Sequence, residues 1–160
     1  MKISANETQQ RQIQQNSKQF NRFLIFRYST AVFFFVNSYW AILSFVHLGV
    51  GIILPILLVL IDTAIIVEQT KKYWRPNNQL TRTKQGYAIQ IGSNLCGLIF
   101  LILGKEQLLF PFFSTNGKPL LASLLVLGII VSVLLEWQAL RIEKNKDSYL
   151  KYLQISEKTQ

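Results

Sequence analysis

The sequence predicts an all-α integral membrane four-helix bundle, made of two helical hairpins with both termini on the cytoplasmic side. Three observations carry this expectation. Half of the 160 residues are hydrophobic and only 16% are charged. The charges are clustered: from Tyr28 to Ile61, 34 residues pass without Asp, Glu, Lys or Arg. A water-soluble helix needs a wet face, and these apolar stretches have none. Finally, the basic residues flank the apolar runs in an asymmetric way, as membrane topology requires.

Residues 1–27 read as a cytoplasmic arm. Ser4 and Glu7 have capping-box spacing, and Ile13, Phe20, Leu24 and Arg27 recur at helical intervals. The arm is either an amphipathic lead-in to the first span or a polar tail. Its first 22 residues are polar and rich in Gln, unlike a secretory signal. The first apolar segment is therefore expected to remain as a membrane anchor.

The uncharged run is too long for one crossing. As a single helix it would extend about 51 Å at ~1.5 Å per residue, against a hydrocarbon core of about 30 Å. The segment His47-Leu48-Gly49-Val50-Gly51, with Pro55 following, supplies the break. Glycines permit a tight turn, and Pro is tolerated in a first helical turn. Span one is read as 28–47 and span two as 50–67.

Residues 68–87 form a polar connector, with Pro76-Asn77-Asn78 as its turn signal. Span three is read as 86–104. The apolar stretch Leu108-Leu109-Phe110-Pro111-Phe112-Phe113 is too short to cross. It is expected to lie in the outer interface or to fold back onto the bundle. Span four is read as 119–137, within a membrane domain of 28–137. Residues 138–160 continue it as a cytoplasmic helical tail, with Ile142, Tyr149 and Leu153 on one stripe.

Orientation follows from the basic residues. Fifteen Lys and Arg fall in the arm, the central connector and the tail, and only Lys105 and Lys118 fall in the two other loops. That bias places the fifteen inside. A nucleic-acid binder would gather its charge on one folded surface, so the net charge of +9 is assigned to topology and nucleic acid is excluded as a partner. Tyr73, Trp74 and Trp137 suit the headgroup layer as interface anchors.

The halves share a weak likeness, each second span ending in an acid: Ile65-Ile66-Val67-Glu68-Gln69 and Val133-Leu134-Leu135-Glu136-Trp137. Two spans per half would make this a parallel repeat.

Few residues can carry chemistry. Asp62 is the acidic residue within a span, and unpaired burial there costs several kcal/mol, of order 3 or more. Counting depth from the expected cytoplasmic boundary places it in the inner half, level with Ser93 and Asn94 and near Ser132. These four are the candidate intramembrane polar site. The plainer alternative is an Asp that hydrogen-bonds within the bundle or reaches toward Lys72 or Arg22. Asn37 and Ser38 are expected to bond between helices. Gly92, Cys96, Gly97 and Gly128 are small residues at helix-packing spacing, four apart with Cys96, Ser93 and Ser132. Glu68 and Lys72 have the order of a helix-surface ion pair. His47 is the sole histidine and lone at the outer end of span one, so no metal site is expected. Cys96 is the sole cysteine and reads as a packing residue. No phosphate loop, zinc helix or nucleophilic triad is present, so neither a cofactor nor an enzymatic activity is expected.

The stretch Asn21-Arg22-Phe23-Leu24-Ile25-Phe26-Arg27-Tyr28, then Phe33-Phe34-Phe35, Tyr39-Trp40 and Leu109-Phe110-Pro111-Phe112, resembles a family of small four-span membrane proteins of Gram-positive bacteria. Members often carry a label as a cellobiose phosphotransferase subunit. The resemblance implies a bacterial plasma membrane and no particular activity. The labelled subunit type needs an accessible cytoplasmic His, whereas His47 is expected at the outer face. The expected role is therefore a non-enzymatic membrane protein acting through helix–helix contacts, as accessory subunit or immunity-type protein. Its partners would be the bilayer and another membrane protein, or itself as a homo-oligomer. The alternative is a small oligomeric transporter or channel using Asp62 and Asn94.

Overall fold

The structure, a computed structural model, describes residues 23–47, 50–74 and 79–144, without the side chains of Tyr73, Trp74 and Thr115. Four α-helices dominate it: α1 (Leu24–Val46), α2 (Ile53–Trp74), α3 (Thr81–Ile102) and α4 (Lys118–Glu143). Each is long and apolar enough to cross a membrane. A 3-10 turn over Val50–Ile52 precedes α2, and two more, Glu106–Leu108 and Thr115–Gly117, shape the loop between α3 and α4. The capping box at Ser4 and Glu7, Ile13 and Phe20, Arg22, Leu48 and Gly49, the Pro76–Asn78 turn, and Tyr149 and Leu153 all lie outside the described residues.

Every helix buries one stripe at alternating steps of three and four. On α1 it is Phe26, Thr30, Phe33, Asn37, Trp40 and Ser44. On α2 it is Pro55, Leu58, Asp62, Ile65, Gln69 and Lys72. On α4 it is Leu121, Leu125, Gly128, Ser132, Leu135, Ala139 and Ile142, with Gly128 only half-buried. Such spacing keeps one seam facing its neighbours along the whole helix. In the middle turns of the helices the stripes carry Asn37, Asp62, Gln90, Ser93, Asn94 and Ser132, while Val32, Phe35, Tyr39, Ile42, Leu57, Leu60, Ile99 and Leu127 face outward. A soluble bundle has the reverse arrangement. Polar atoms turned inward and apolar side chains turned outward are what a hydrocarbon surrounding selects.

The helices pack chiefly as α1 on α2 and α3 on α4, with α2 on α3 joining the two hairpins. Two apolar clusters result. One, at the end where α1 starts and α4 finishes (the near end), holds Phe23, Phe26, Phe33, Leu80, Tyr87, Leu135, Ala139 and Ile142. The other, toward the far end, holds Trp40, Leu58, Phe110, Leu121 and Leu125. A polar layer separates them.

The helices run past the apolar runs that mark the expected spans, and the polar connector is correspondingly shorter than 68–87. α2 continues through Glu68 to Trp74, and α3 begins at Thr81. The cause is visible at the start of α3. Its N-cap position, Leu80, provides no side-chain cap. The Glu68 carboxylate of α2 instead accepts the backbone N–H groups of Arg82 (3.3 Å) and Thr83 (2.8 Å). The Glu143 carboxylate of α4 accepts the Leu80 N–H at 3.0 Å and pairs with Lys84 at 2.7 Å. Two carboxylates from neighbouring helices thus satisfy N–H groups that a helix start leaves open, at the positive end of its dipole. Glu68 thus caps α3, where its spacing to Lys72 predicts only a helix-surface pair, and Lys72 itself is buried. The carboxylate on α4 with the matching role is Glu143, not Glu136, which the sequence likeness aligns with Glu68.

The loop between α3 and α4 leaves its helix through Gly104 at φ 67°, a left-handed conformation that suits glycine. It then folds back into the bundle. Phe110 is buried and stacks on Trp40 at 4.7 Å between ring centroids. The Trp40 indole N–H donates to the Leu109 carbonyl at 2.9 Å. Gly51 makes this approach possible: a Cβ there would lie 2.3 Å from the Leu108 carbonyl oxygen. Glu106, also buried, pairs with Lys118 at 2.7 Å.

Candidate functional site

The polar layer is a connected chain of side chains from three helices. Asn37 on α1 donates both amide hydrogens, one to the Asp62 carboxylate on α2 at 2.8 Å and one to the Gln90 carbonyl oxygen on α3 at 3.1 Å. Gln90 in turn donates to the Asn94 carbonyl oxygen at 3.4 Å. All four residues are at least nine-tenths buried. Among the described residues Asp62 forms no ion pair; Asn37 supplies its hydrogen bond. Gly128 on α4 closes the fourth side, where a Cβ would stand 2.5 Å from the Asn94 amide nitrogen.

The grouping differs from the expected Asp62, Ser93, Asn94 and Ser132. Asp62 meets Asn94 only through Asn37 and Gln90 among the described residues. Ser93 and Ser132 are buried, and neither hydroxyl has a hydrogen-bond partner among the described residues. Asn37 is the hub. Gln90 was not singled out by sequence, although its i,i+4 spacing to Asn94 puts both on one face of α3. Asp62 also lies at mid-helix on α2 rather than in the near-end half, because α2 extends seven residues beyond the expected span, to Trp74.

Of the small residues, Gly97 packs against Leu125 and Phe110, and Gly128 against Asn94. Gly92 packs on none of the described residues: nothing among them lies within 4 Å of where a Cβ would stand. Cys96 is a half-buried free thiol. Trp137 is exposed, with the Arg141 guanidinium 4.6 Å from its ring centre. Tyr73 and Trp74 occupy the last turn of α2. His47 is exposed, and its Nδ1 lies 2.9 Å from the Leu43 carbonyl, one turn back on its own helix.

A second polar group lies at the near end. The Thr30 and Tyr87 hydroxyls share a hydrogen bond at 2.9 Å, and Tyr87 also donates to the Phe26 carbonyl at 3.4 Å. Arg27 donates to the Gln69 carbonyl at 3.0 Å, and the Gln69 amide donates to the Thr83 hydroxyl at 2.7 Å. Lys72 donates to the Gln79 carbonyl. These bonds tie helices together and are consumed in doing so.

The polar layer is different because it opens onto space. α1 and α4 share the near-end cluster, and beyond it a cleft of about 440 Å³ lies between them. One wall is the α1 stripe Ser29, Val32, Val36, Tyr39 and Leu43. The other is α4 from Leu121 to Val131, including Leu124 and Leu127. Phe110, Phe112 and Phe113 of the folded-back loop line the far end, and Asn37, Gln90 and Asn94 form the polar floor. A volume of this size is within the range of binding cavities, and an apolar enclosure with a few convergent polar groups is their usual make-up. Outside the cleft, the Glu106 carboxyl is held below its ordinary range, chiefly by its hydrogen bond to Lys118. No known family, no characterised protein and no solved structure matches the chain.

Proposed function

We propose that this is a non-enzymatic, multi-pass plasma-membrane protein that acts by receiving a transmembrane helix of another membrane protein in the cleft between α1 and α4. It would serve as an accessory subunit or as an immunity-type protein, with both termini in the cytoplasm. One observation carries the reading. The α1 wall of the cleft repeats at steps of three and four over Ser29, Val32, Val36, Tyr39 and Leu43 with no other described helix packed closely against it. That spacing is the seam a partner helix fills. Along α1 the stripe runs about 21 Å at ~1.5 Å per residue, two-thirds of a hydrocarbon core of about 30 Å. The fifteen-to-two charge bias supports the orientation.

The test is site-specific photocrosslinking in the native membrane. A crosslinker at Val36 or Leu124, facing the cleft, is expected to give one discrete protein adduct. One at Ile99, exposed on α3, is expected to give none. Equal adducts from all three sites, or lipid adducts alone, would defeat the reading.

A second reading, a small oligomeric transporter or channel, is favoured by a specific observation: Asp62 is buried at mid-helix without an ion-pair partner among the described residues. Under it, Asp62→Asn abolishes flux in vesicles. Under the first reading, the variant leaves the membrane no less permeable and no more.

A further inference from the structure

We infer that the helix received by the cleft carries one basic side chain at mid-depth, held by the amide floor and neutralised by Asp62. The inference rests on the cleft reading and deepens it by fixing the partner's chemistry.

The floor keeps acceptors open to an incoming donor. Both hydrogens of the Asn37 amide are already donated, to Asp62 and to Gln90. One hydrogen of Gln90 goes to Asn94, and the Asn94 nitrogen lies against the Gly128 backbone. Three amide hydrogens remain, one on Gln90 and two on Asn94, and beside them the carbonyl oxygens of Asn37, Gln90 and Asn94 each have at least one more lone pair to offer, so the floor can accept from an incoming donor while charge decides which donor it favours. An ammonium brings three donors and no acceptor, and a guanidinium five donors and no acceptor.

Charge gives the second half of the match. Asp62 stands one hydrogen bond behind the floor, at 2.8 Å from the Asn37 nitrogen. A carboxylate at that depth is costly until a cation compensates it. The described helices do not provide one: no Lys or Arg lies between Arg27 and Lys71, so neither α1 beyond its first turns nor the first half of α2 offers a cation at the floor. The middle of α3 and of α4, from Gln85 to Gly104 and from Pro119 to Leu140, has none either. The same helices of a second copy have the same gap and cannot fill the role. A long basic side chain on an incoming helix can, since its stem spans the apolar wall while its head reaches the floor.

The experiment uses the full-length protein in phosphatidylcholine vesicles with three designed Leu/Ala transmembrane peptides, identical except for Lys, Leu or Glu at the centre. The protein carries an acceptor dye at Ile99→Cys, exposed on α3 away from the cleft, in a Cys96→Ser background, and energy transfer from donor-labelled peptide reads association. The Lys peptide is expected to bind about tenfold more tightly than the Leu peptide, as a membrane-embedded polar interaction of about 1–2 kcal/mol gives. The Glu peptide is expected to bind least. Asp62→Asn should bring the Lys peptide down to the Leu level while leaving Leu-peptide binding unchanged, which also shows that the variant is folded. Asp62→Glu should restore the preference. Equal binding of Lys and Leu peptides to the unmodified site overturns the charge inference and leaves the cleft reading standing. No association of any peptide, with lipid keeping the cleft, overturns both.

Discussion

Replacing Gly51 by Ala tests the seating of the far-end loop. The added Cβ would lie 2.3 Å from the Leu108 carbonyl oxygen and 2.9 Å from the Leu109 Cα. Both are backbone atoms, so no side-chain rotation relieves the clash. Real Cβ contacts essentially never fall under 3.0 Å, so the loop must retreat by at least about 0.7 Å. A retreat of that size along the Trp40–Leu109 bond stretches 2.9 Å to about 3.6 Å, beyond hydrogen-bonding distance. The loss orphans a half-buried polar pair, worth about 1–3 kcal/mol. It also loosens the 4.7 Å stack of Trp40 on Phe110, worth about 0.5–1.5 kcal/mol. The expected destabilisation is about 2–4 kcal/mol, together with a red shift of Trp40 emission as the indole loses its packing. The assay is unfolding in detergent micelles, followed by the fluorescence of Trp40 in a background with Trp74→Phe and Trp137→Phe. Unfolding within about 0.5 kcal/mol of the parent, with unchanged emission, would refute the argument that Gly51 admits the loop.

Four further outcomes follow from the packing. Asn37→Leu strands the Asp62 carboxylate and the Gln90 carbonyl together, so it should cost about 1–3 kcal/mol and exceed Asn94→Leu when both are unfolded in the same micelles. Gly128→Ala pushes on the Asn94 amide at 2.5 Å and should destabilise by about 1–3 kcal/mol, whereas Gly92→Ala meets nothing and should be neutral or better by up to about 1 kcal/mol; thermal shifts separate the two. Glu68→Gln and Glu143→Gln should each fray the first turn of α3, read as faster hydrogen exchange at Arg82 and Thr83, or at Leu80. The last outcome concerns pH. The Glu106 carboxyl sits below its ordinary value because of Lys118; the stabilisation it gives is present above the ordinary carboxylate range and is lost as pH falls through the depressed value. The red shift of Trp40 emission in the same single-Trp background should appear only below that range, and Glu106→Gln should give it already at neutral pH.

The helices were legible in the sequence because their cause is local. Thirty-four residues without charge, interrupted by Gly51 and Pro55, admit little else than two apolar helices and a turn. The start of α3 was not legible, since the groups that set it, Glu68 and Glu143, are remote from Leu80 along the chain. The candidate site was half legible. Asp62 and Asn94 announce themselves as polar residues in apolar runs, and depth arithmetic places them near one level. Which of them touch depends on how each helix is rotated about its axis, and a sequence gives depth more readily than rotation. Asn37 became the hub because it shares the α1 stripe with Phe33 and Trp40, and Gln90 entered because Tyr87 and Asn94 bury the same face of α3. The cleft was illegible for another reason: it exists where α1 and α4 fail to meet, and a missing contact leaves no residue pattern of its own.

The carboxylates at the head of α3 have a consequence for biosynthesis. A helix that relied on its own Ser or Asp would have a fixed first turn as soon as it left the ribosome. Here the donors of Leu80, Arg82 and Thr83 wait for Glu68, already made, and for Glu143, made some sixty residues later. The first turn of α3 is therefore completed only when the last helix arrives, and the final register of the second hairpin is set after translation rather than during it. The same bonds would hold two separately made halves together, so a chain severed in the connector between Trp74 and Gln79 retains the means to reassemble.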